Sequence, residues 1–190
     1  MKSILLSIKP KYVELIASGQ KTIEVRKTAP KEVPFKCYIY ESRNGGHRCK
    51  HCNEKDSCYS YAPKNVGCYN GRGKVIGEFI CDKVDMEFVG YRNHEPCYWN
   101  LLLNGSCLTK DELMNYGKWK TLYGWHISDL KIYDKPRELS EFYTKKKCNS
   151  CKKSGYESTA CMYDEDCKVP MSITRAPQSW QYIEDLGEEE

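Results

Sequence analysis

The sequence contains no long hydrophobic run. A membrane-spanning helix needs about 20 consecutive apolar residues, and no stretch of the 190-residue chain approaches that length. The apolar stretch at residues 1–8 is interrupted by Lys9 and Pro10 before the core of a signal peptide could form. We therefore expect a cytoplasmic protein that has no membrane partner.

Phenylalanine is scarce, with 4 residues against 15 tyrosines. Tyrosine rings often lie at protein surfaces, where one edge of the ring contacts water. A hydrophobic share of 40% and a charged share of 29% exclude wholesale disorder and suit one domain across residues 1–190.

The net charge of +4 is unevenly distributed, because residues 1–74 carry +9 and residues 75–190 carry −5. A basic half favours a polyanionic partner.

Cysteine is abundant, and eight of the 12 cysteines fall into two clusters of four that each open with a C-x-x-C pair. The clusters are Cys49, Cys52, Cys58 and Cys68, and Cys148, Cys151, Cys161 and Cys167. Four thiolates around one tetrahedral ion are a common structural zinc site. The surrounding insertions, at about 43–73 and 145–169, are poor in aliphatic residues and need a metal or disulfides to order them.

The cysteine pattern leaves alternatives open. A disulfide framework or free thiols would also fit the spacing, although nothing in the sequence indicates secretion. His47 and His51 flank the first C-x-x-C pair and could replace a cysteine ligand. The two clusters could also share ligands. Because a four-thiolate site leaves no open position for water, we expect the zinc to be structural.

Hydrophobic periodicity predicts a mixed α+β fold of short elements. Predicted strands cover residues 3–8, 22–26, 37–41, 73–84, 123–127, 130–133 and 179–183. Predicted helices cover residues 10–18, 97–104 and 110–116, with one further turn at 139–142. Thr109 and Glu112 suit a capping box, Gly77 indicates a bulge, and Cys37 and Cys81 fall at core positions. Many short strands with few long helices favour a small barrel.

Residues 19–26 read Gly-Gln-Lys-Thr-Ile-Glu-Val-Arg, the pattern G-x-K-x-x-E-x-R. Placed after a strand and a helix, this segment resembles the signature of the ASCH family in the PUA-like superfamily. Residues 73–84 resemble the family's central strand, and residues 124–130 and 175–180 resemble segments of phage-type and prophage-type members. The resemblance implies a PUA-like β-barrel with a cleft lined partly by the motif, and binding of RNA or other nucleic acid.

Within that cleft, Lys21 is expected to contact a phosphate or a base edge, and Arg26 a phosphate. Glu24 shares their side of the strand and would orient Arg26 or accept a base amino proton. The expected stacking rings are Tyr38, Tyr40, Trp125 and Trp180, and the expected polar contacts are Ser42, His126 and Ser179. Taken singly, these residues would be a solvated lysine, a surface ion pair and core aromatics.

The leading interpretation is an RNA-binding, other nucleic-acid-binding or modified-nucleotide-binding protein, and catalysis stays open. Relatives that deacetylate cytidine are thought to use a threonine where this chain has Glu24, so the expected nucleophile is missing. Lys21 with Glu24 could still activate water, or Lys21 with Ser42 or Ser179 could cleave RNA. A third interpretation is a protein-interaction module whose cysteine insertions form the contact surface.

If zinc orders the insertions, chelation at neutral pH will make residues 43–73 and 145–169 sensitive to protease while the remainder stays folded. Limited proteolysis followed by mass spectrometry measures this difference. Elemental analysis that finds no zinc in protein purified without chelator would contradict the prediction.

Overall fold

The computed structural model describes residues 1–43, 71–88, 91–92, 95–96, 100–144 and 171–184. The strands in these ranges are β1 Lys2–Ile8, β2 Ile23–Arg26, β3 Phe35–Glu41, β4 Val75–Cys81, β5 Val84–Phe88, β6 Tyr91–Arg92, β7 Glu95–Pro96, β8 Thr121–His126, β9 Ser128–Arg137, β10 Tyr143–Thr144, β11 Met171–Ser172 and β12 Trp180–Ile183. The helices are α1 Pro10–Ala17, α2 Asn100–Ser106 and α3 Lys110–Gly117, with a 3-10 turn at Leu139–Glu141. The predicted α+β class is confirmed.

Two sheets carry the fold. The larger has five strands in the order β12-β1-β3-β4-β9, in which β1 and β3 run parallel and the other neighbours run antiparallel. The smaller is antiparallel, in the order β2-β8-β5, and contains the signature strand β2. Two short ladders, β6-β7 and β10-β11, complete the described strands.

The predicted closure into a barrel is wrong, because the described sheets do not close on each other. β9 and β12 are the outer strands of the larger sheet, and β2 and β5 are those of the smaller sheet. A barrel needs a complete ring of hydrogen-bonded strands. Here side chains join the sheets instead, with the rings of Phe35 and Trp125 packed edge to face at 5.1 Å.

The main core fills the space between the sheets and α1. Its members are apolar residues of β1, α1, β3 and β4 together with Trp125 of β8: Ile4, Leu6, Ile8, Val13, Ile16, Phe35, Cys37, Ile39, Ile76, Phe79 and Cys81. The core positions predicted for Cys37 and Cys81 are confirmed. Burial raises the pKa of both thiols, that of Cys81 to about 12, so these thiols stay protonated at neutral pH.

Local sequence signals determine several element ends. Thr109 Oγ1 accepts the Glu112 N–H at 3.1 Å and Glu112 accepts the Thr109 N–H at 2.9 Å, which confirms the predicted capping box. The predicted bulge at Gly77 is also confirmed, since the β4–β9 register shifts there. A Cβ at Gly77 would lie 2.4 Å from the Lys131 carbonyl oxygen, so only glycine fits.

Other boundaries differ from the prediction. The single strand expected at 73–84 is two strands, β4 and β5, because the chain leaves the larger sheet after Cys81 and enters the smaller sheet at Val84. The helix expected at 97–104 is α2, Asn100–Ser106. Among the described residues, none of the helices has the length and apolar character needed to cross a bilayer.

Trp125 provides a test of the packing between the sheets. Its side chain is fully buried and contacts Phe35 and Trp180, so we expect Trp125→Leu to lower the free energy of unfolding by about 3 kcal/mol. The matched control is Trp119→Leu, because Trp119 is 56% exposed, and its cost should stay below about 1 kcal/mol. Urea unfolding measures both values, and equal losses would refute the assigned role of Trp125.

Candidate functional site

A cleft of about 810 Å³ opens beside the signature strand, a volume typical of ligand sites. Its walls come from the end of β1, from α1, β2, α3, the end of β3 and the segment before β12. The lining residues are Ser7, Ile8, Lys9, Tyr12, Lys21, Glu24, Val25, Arg26, Tyr40, Ser42, Arg43, Leu108, Glu112, Asn115, Tyr116, Ala176, Pro177, Gln178 and Ser179.

The cleft contains a nearly buried carboxylate held between two cations. Glu24 Oε2 lies 3.3 Å from Lys21 Nζ, and Glu24 Oε1 lies 3.0 Å from Arg26 Nη2. The side chains of Lys21, Glu24 and Arg26 are only 1%, 8% and 10% exposed. Two-residue alternation along β2 explains the arrangement, because it puts Glu24 and Arg26 on one side while Ile23 and Val25 pack into a separate apolar cluster.

Lys21 connects the signature segment to α2 by hydrogen bonds. Its ammonium donates to the Ile23 carbonyl at 2.8 Å and to the Ser106 carbonyl at 2.6 Å. The ion pair with Glu24 is the third close contact of the ammonium. In this arrangement Lys21 positions the connection between α2 and α3, and its burial leaves almost none of the ammonium accessible to the phosphate or base edge that the sequence suggested.

The same connection depends on a glycine. The Gly105 carbonyl accepts the Thr22 N–H at 2.8 Å, and Gly105 itself has a φ of +98°. A Cβ at this position would lie 2.4 Å from Thr22 Oγ1. Both the positive φ and the close approach require glycine.

Arg26 fixes the opposite wall. Its Nη2 donates to the Ser7 carbonyl at 2.6 Å, and its Nη1 donates to Ser179 Oγ at 3.4 Å. Ser7 Oγ donates to the Pro177 carbonyl at 2.6 Å, which holds the segment before β12 in place. Arg26 Nε is buried without a hydrogen-bond partner among the described residues. Ser179, which accepts from Arg26, keeps its own hydroxyl proton to donate.

Tyrosines and further cations surround this ion-pair group. Lys21 Nζ lies 5.3 Å from the centroid of the Tyr12 ring, and Lys27 Nζ lies 4.9 Å from that of the Tyr116 ring. Burial raises the pKa of both phenols, so they remain neutral donors at neutral pH. Among the described residues, the lining cations are Lys9, Lys21, Arg26 and Arg43 and the lining anions are Glu24 and Glu112, a net charge of +2.

Six of the residues singled out from the sequence line this cleft: Lys21, Glu24, Arg26, Tyr40, Ser42 and Ser179. Trp125 and Tyr38 do not line it, since both are buried in apolar clusters and offer no free face for stacking. Trp180 also lies outside the lining, where its Nε1 donates to Thr28 Oγ1 at 3.0 Å.

His126 faces a different set of partners. Its Nε2 lies 2.6 Å from Asp85 Oδ2, and Lys83 Nζ lies 2.9 Å from Asp85 Oδ1. Burial alone would raise the pKa of Asp85, but the hydrogen bonds from His126 and Lys83 outweigh burial and lower it. The histidine is therefore hydrogen-bonded to Asp85 in this arrangement and does not line the cleft.

Several cleft residues were not identified from the sequence. Nothing in the local sequence pattern connects Tyr12 of α1, or Asn115 and Tyr116 of α3, with residues 19–26. These residues join the site through long-range packing. The hydrogen bond from Lys21 to the Ser106 carbonyl, which carries that connection, leaves no periodic signal in the sequence.

A second concavity, of about 550 Å³, lies on the outer face of the larger sheet. It is lined by Lys36, Tyr38, Glu78, Lys131, Ile132, Tyr133, Asp134, Lys135, Arg137 and Glu141. Several of its polar groups already pair with one another: Tyr133 donates to Glu78, and Arg137 Nε lies 3.0 Å from Glu141 Oε2. The first cleft is therefore the stronger candidate.

The predicted zinc ligands lie outside the described residues, as do the two histidines that flank the first pair. These are Cys49, Cys52, Cys58, Cys68, Cys148, Cys151, Cys161, Cys167, His47 and His51. Among the residues that the structure does describe, no group of three or more His, Cys, Asp or Glu side chains could hold a metal. Zinc stays a prediction.

Removing Glu24 tests the ion-pair group directly. Glu24→Ala leaves Lys21 and Arg26 buried without their shared counter-ion, so the free energy of unfolding should fall by about 3–5 kcal/mol. Glu14→Ala on the exposed side of α1 is the control and should cost less than about 0.5 kcal/mol.

Adding Lys21→Met to the Glu24→Ala variant should recover part of the loss, because one of the two uncompensated charges is then gone. Chemical denaturation of Glu24→Ala, of Lys21→Met and of the double variant gives the coupling free energy between the two side chains. Additive losses would show that the two side chains do not interact.

The chain is similar to a known protein family and to solved structures. The model of the ASCH domain matches residues 6–174. An ASCH protein from Zymomonas mobilis is similar in structure, with a TM-score of 0.54 at 16% identity over 96% of this chain and 88% of that chain. A serine-to-alanine variant of the Zymomonas mobilis protein gives 0.53 at 15% identity over 96% and 89%. No curated protein sequence matches at a significant level. The extent of the domain match shows that the chain belongs to the ASCH domain family, with a PUA-like fold.

Proposed function

We propose that the cleft binds single-stranded RNA through its phosphates and one or more unstacked bases. The observation that carries the proposal is the net charge of +2 among the described lining residues of a cleft that Tyr12 and Tyr116 also line. Single-strand binding sites combine positive charge for the backbone with aromatic rings for the bases. ASCH domains are generally associated with nucleic acid, which supports the same proposal.

The cleft residues divide into two groups. Lys9 and Arg43 are exposed at the rim, where phosphates can reach them. Glu24 and Arg26 lie deeper and nearly buried, where a flipped-out base would meet them. The hydroxyls of Ser42 and Ser179 provide partners for a ribose 2′-hydroxyl, the group that distinguishes RNA from DNA.

A hydrolase that acts on RNA or on a modified nucleoside is the second candidate. Ser179 favours it, because its hydroxyl lies beside the Arg26 guanidinium at 3.4 Å in the cleft. Lys21 is a poor general base in this arrangement, because its buried ammonium donates to two backbone carbonyls and is paired with Glu24.

Catalysis is tested by incubating labelled RNA with the protein and with Ser179→Ala. Cleavage that the variant loses would make the protein a ribonuclease. Intact RNA with unimpaired binding would leave it a binding protein.

The proposal also includes structural zinc in the cysteine insertions and a protein partner that binds to these insertions. Elemental analysis tests for the zinc, and a pull-down that survives nuclease treatment tests for the protein partner.

Rim variants test binding without disturbing the buried group. We expect wild-type protein to bind short single-stranded RNA with a salt-dependent affinity, and Lys9→Ala and Arg43→Ala each to reduce the salt slope by about 0.7. Lys120→Ala is the control, because Lys120 is exposed and does not line the cleft. Fluorescence anisotropy over a salt series gives the slopes. The proposal would be refuted if the wild-type protein did not bind the RNA, or if all four proteins gave equal salt slopes.

A further inference from the structure

The wall of the cleft formed by α3 lies outside the signature segment. Glu112, Asn115 and Tyr116 are spaced three and four residues apart, so they lie on one helix face, and all three line the cleft. Leu113 is buried in the apolar cluster behind them. The helix therefore presents one polar and aromatic face to any ligand in the cleft.

This wall is held in place from several directions. The capping box at Thr109 and Glu112 fixes the start of α3, and Lys11 Nζ of α1 lies 3.3 Å from Glu112 Oε1. Lys21 binds the Ser106 carbonyl just before the helix. Side chains on a wall fixed in this way are pre-organised, which lowers the entropy cost of binding.

Among the three residues, Asn115 has the free functional group. Glu112 already accepts from Thr109 and Lys11, whereas Asn115 is exposed and its amide makes no hydrogen bond within the described residues. A carboxamide presents a carbonyl acceptor beside an NH₂ donor. That pair matches the edge of a base in which an amino group lies beside a ring nitrogen.

We propose that α3 is the base-reading wall of the cleft: Tyr116 stacks on one base, and the Asn115 amide pairs with its amino group and adjacent ring nitrogen. Adenine and cytosine both carry this edge, and uracil lacks the amino group. This inference depends on the proposed RNA binding.

The ring of Tyr116 suits the stacking role. Lys27 Nζ lies 4.9 Å from its centroid, and the ring packs at the edge of an apolar cluster that includes Leu113 and Leu122. The cation and the packing hold the ring in one orientation. Base–aromatic stacking depends little on base identity, so Tyr116 supplies affinity and Asn115 supplies discrimination.

The experiment measures the affinity for short RNA strands that carry one adenosine, cytidine, uridine or purine riboside among abasic sites. Purine riboside is adenosine without its amino group. Wild-type protein should prefer adenosine over purine riboside by about 10-fold, and Asn115→Ala should abolish the preference. Asn104→Ala, at an exposed position outside the cleft, is the matched control.

Tyr116 is tested in the same assay. Tyr116→Leu should weaken binding of every base-containing strand by about 10-fold, and Tyr116→Phe should retain most of the affinity. Tyr143→Leu, at an exposed tyrosine on β10, is the control. Thermal unfolding of each variant separates a folding loss from a binding loss.

The outcomes distinguish this inference from the proposed function. Salt-dependent binding that needs Lys9 but shows no adenosine preference, or a preference that survives Asn115→Ala, overturns the role of α3 and leaves RNA binding intact. Wild-type protein that binds none of the strands overturns both. Loss of the preference in Asn115→Ala with an unchanged unfolding temperature supports the base-reading wall.

Discussion

The cleft depends on one buried electrostatic arrangement, the Glu24 carboxylate between the Lys21 ammonium and the Arg26 guanidinium. Each cation also reaches a backbone carbonyl on another wall, Lys21 at Ser106 and Arg26 at Ser7. The carboxylate therefore holds together three segments that are far apart in sequence. Without it, two positive charges would remain nearly buried with no counter-ion, which is strongly unfavourable.

In this arrangement the residues of the signature segment have different roles. The Lys21 ammonium is almost fully buried and donates to two backbone carbonyls, one of which positions the wall formed by α2 and α3. In the proposed complex with RNA, the ligand contacts the exposed rim cations, the hydroxyls and tyrosines, and the side of Arg26 that faces Ser179. A structural lysine in a signature motif explains why its residue type alone does not establish catalysis.

The sequence predicted the local features well and the long-range ones poorly. Two-residue alternation placed Glu24 and Arg26 together, and the Thr109 capping box and the Gly77 bulge follow from nearby residues. Barrel closure was wrong because hydrogen bonding between outer strands depends on how whole sheets pack. The same limit applies to Trp125, since alternation does not reveal that its face meets a second sheet.

The central claim is that RNA occupies the cleft beside β2. The most direct measurement is an NMR titration of labelled protein with short single-stranded RNA, followed through the backbone amides of both concavities. We expect saturable chemical-shift changes at the amides of Arg26, Asn115 and Tyr116 and none at those of Lys131 or Tyr133, on the outer face of the larger sheet. Shifts confined to Lys131 and Tyr133, or no shifts at all, would contradict it.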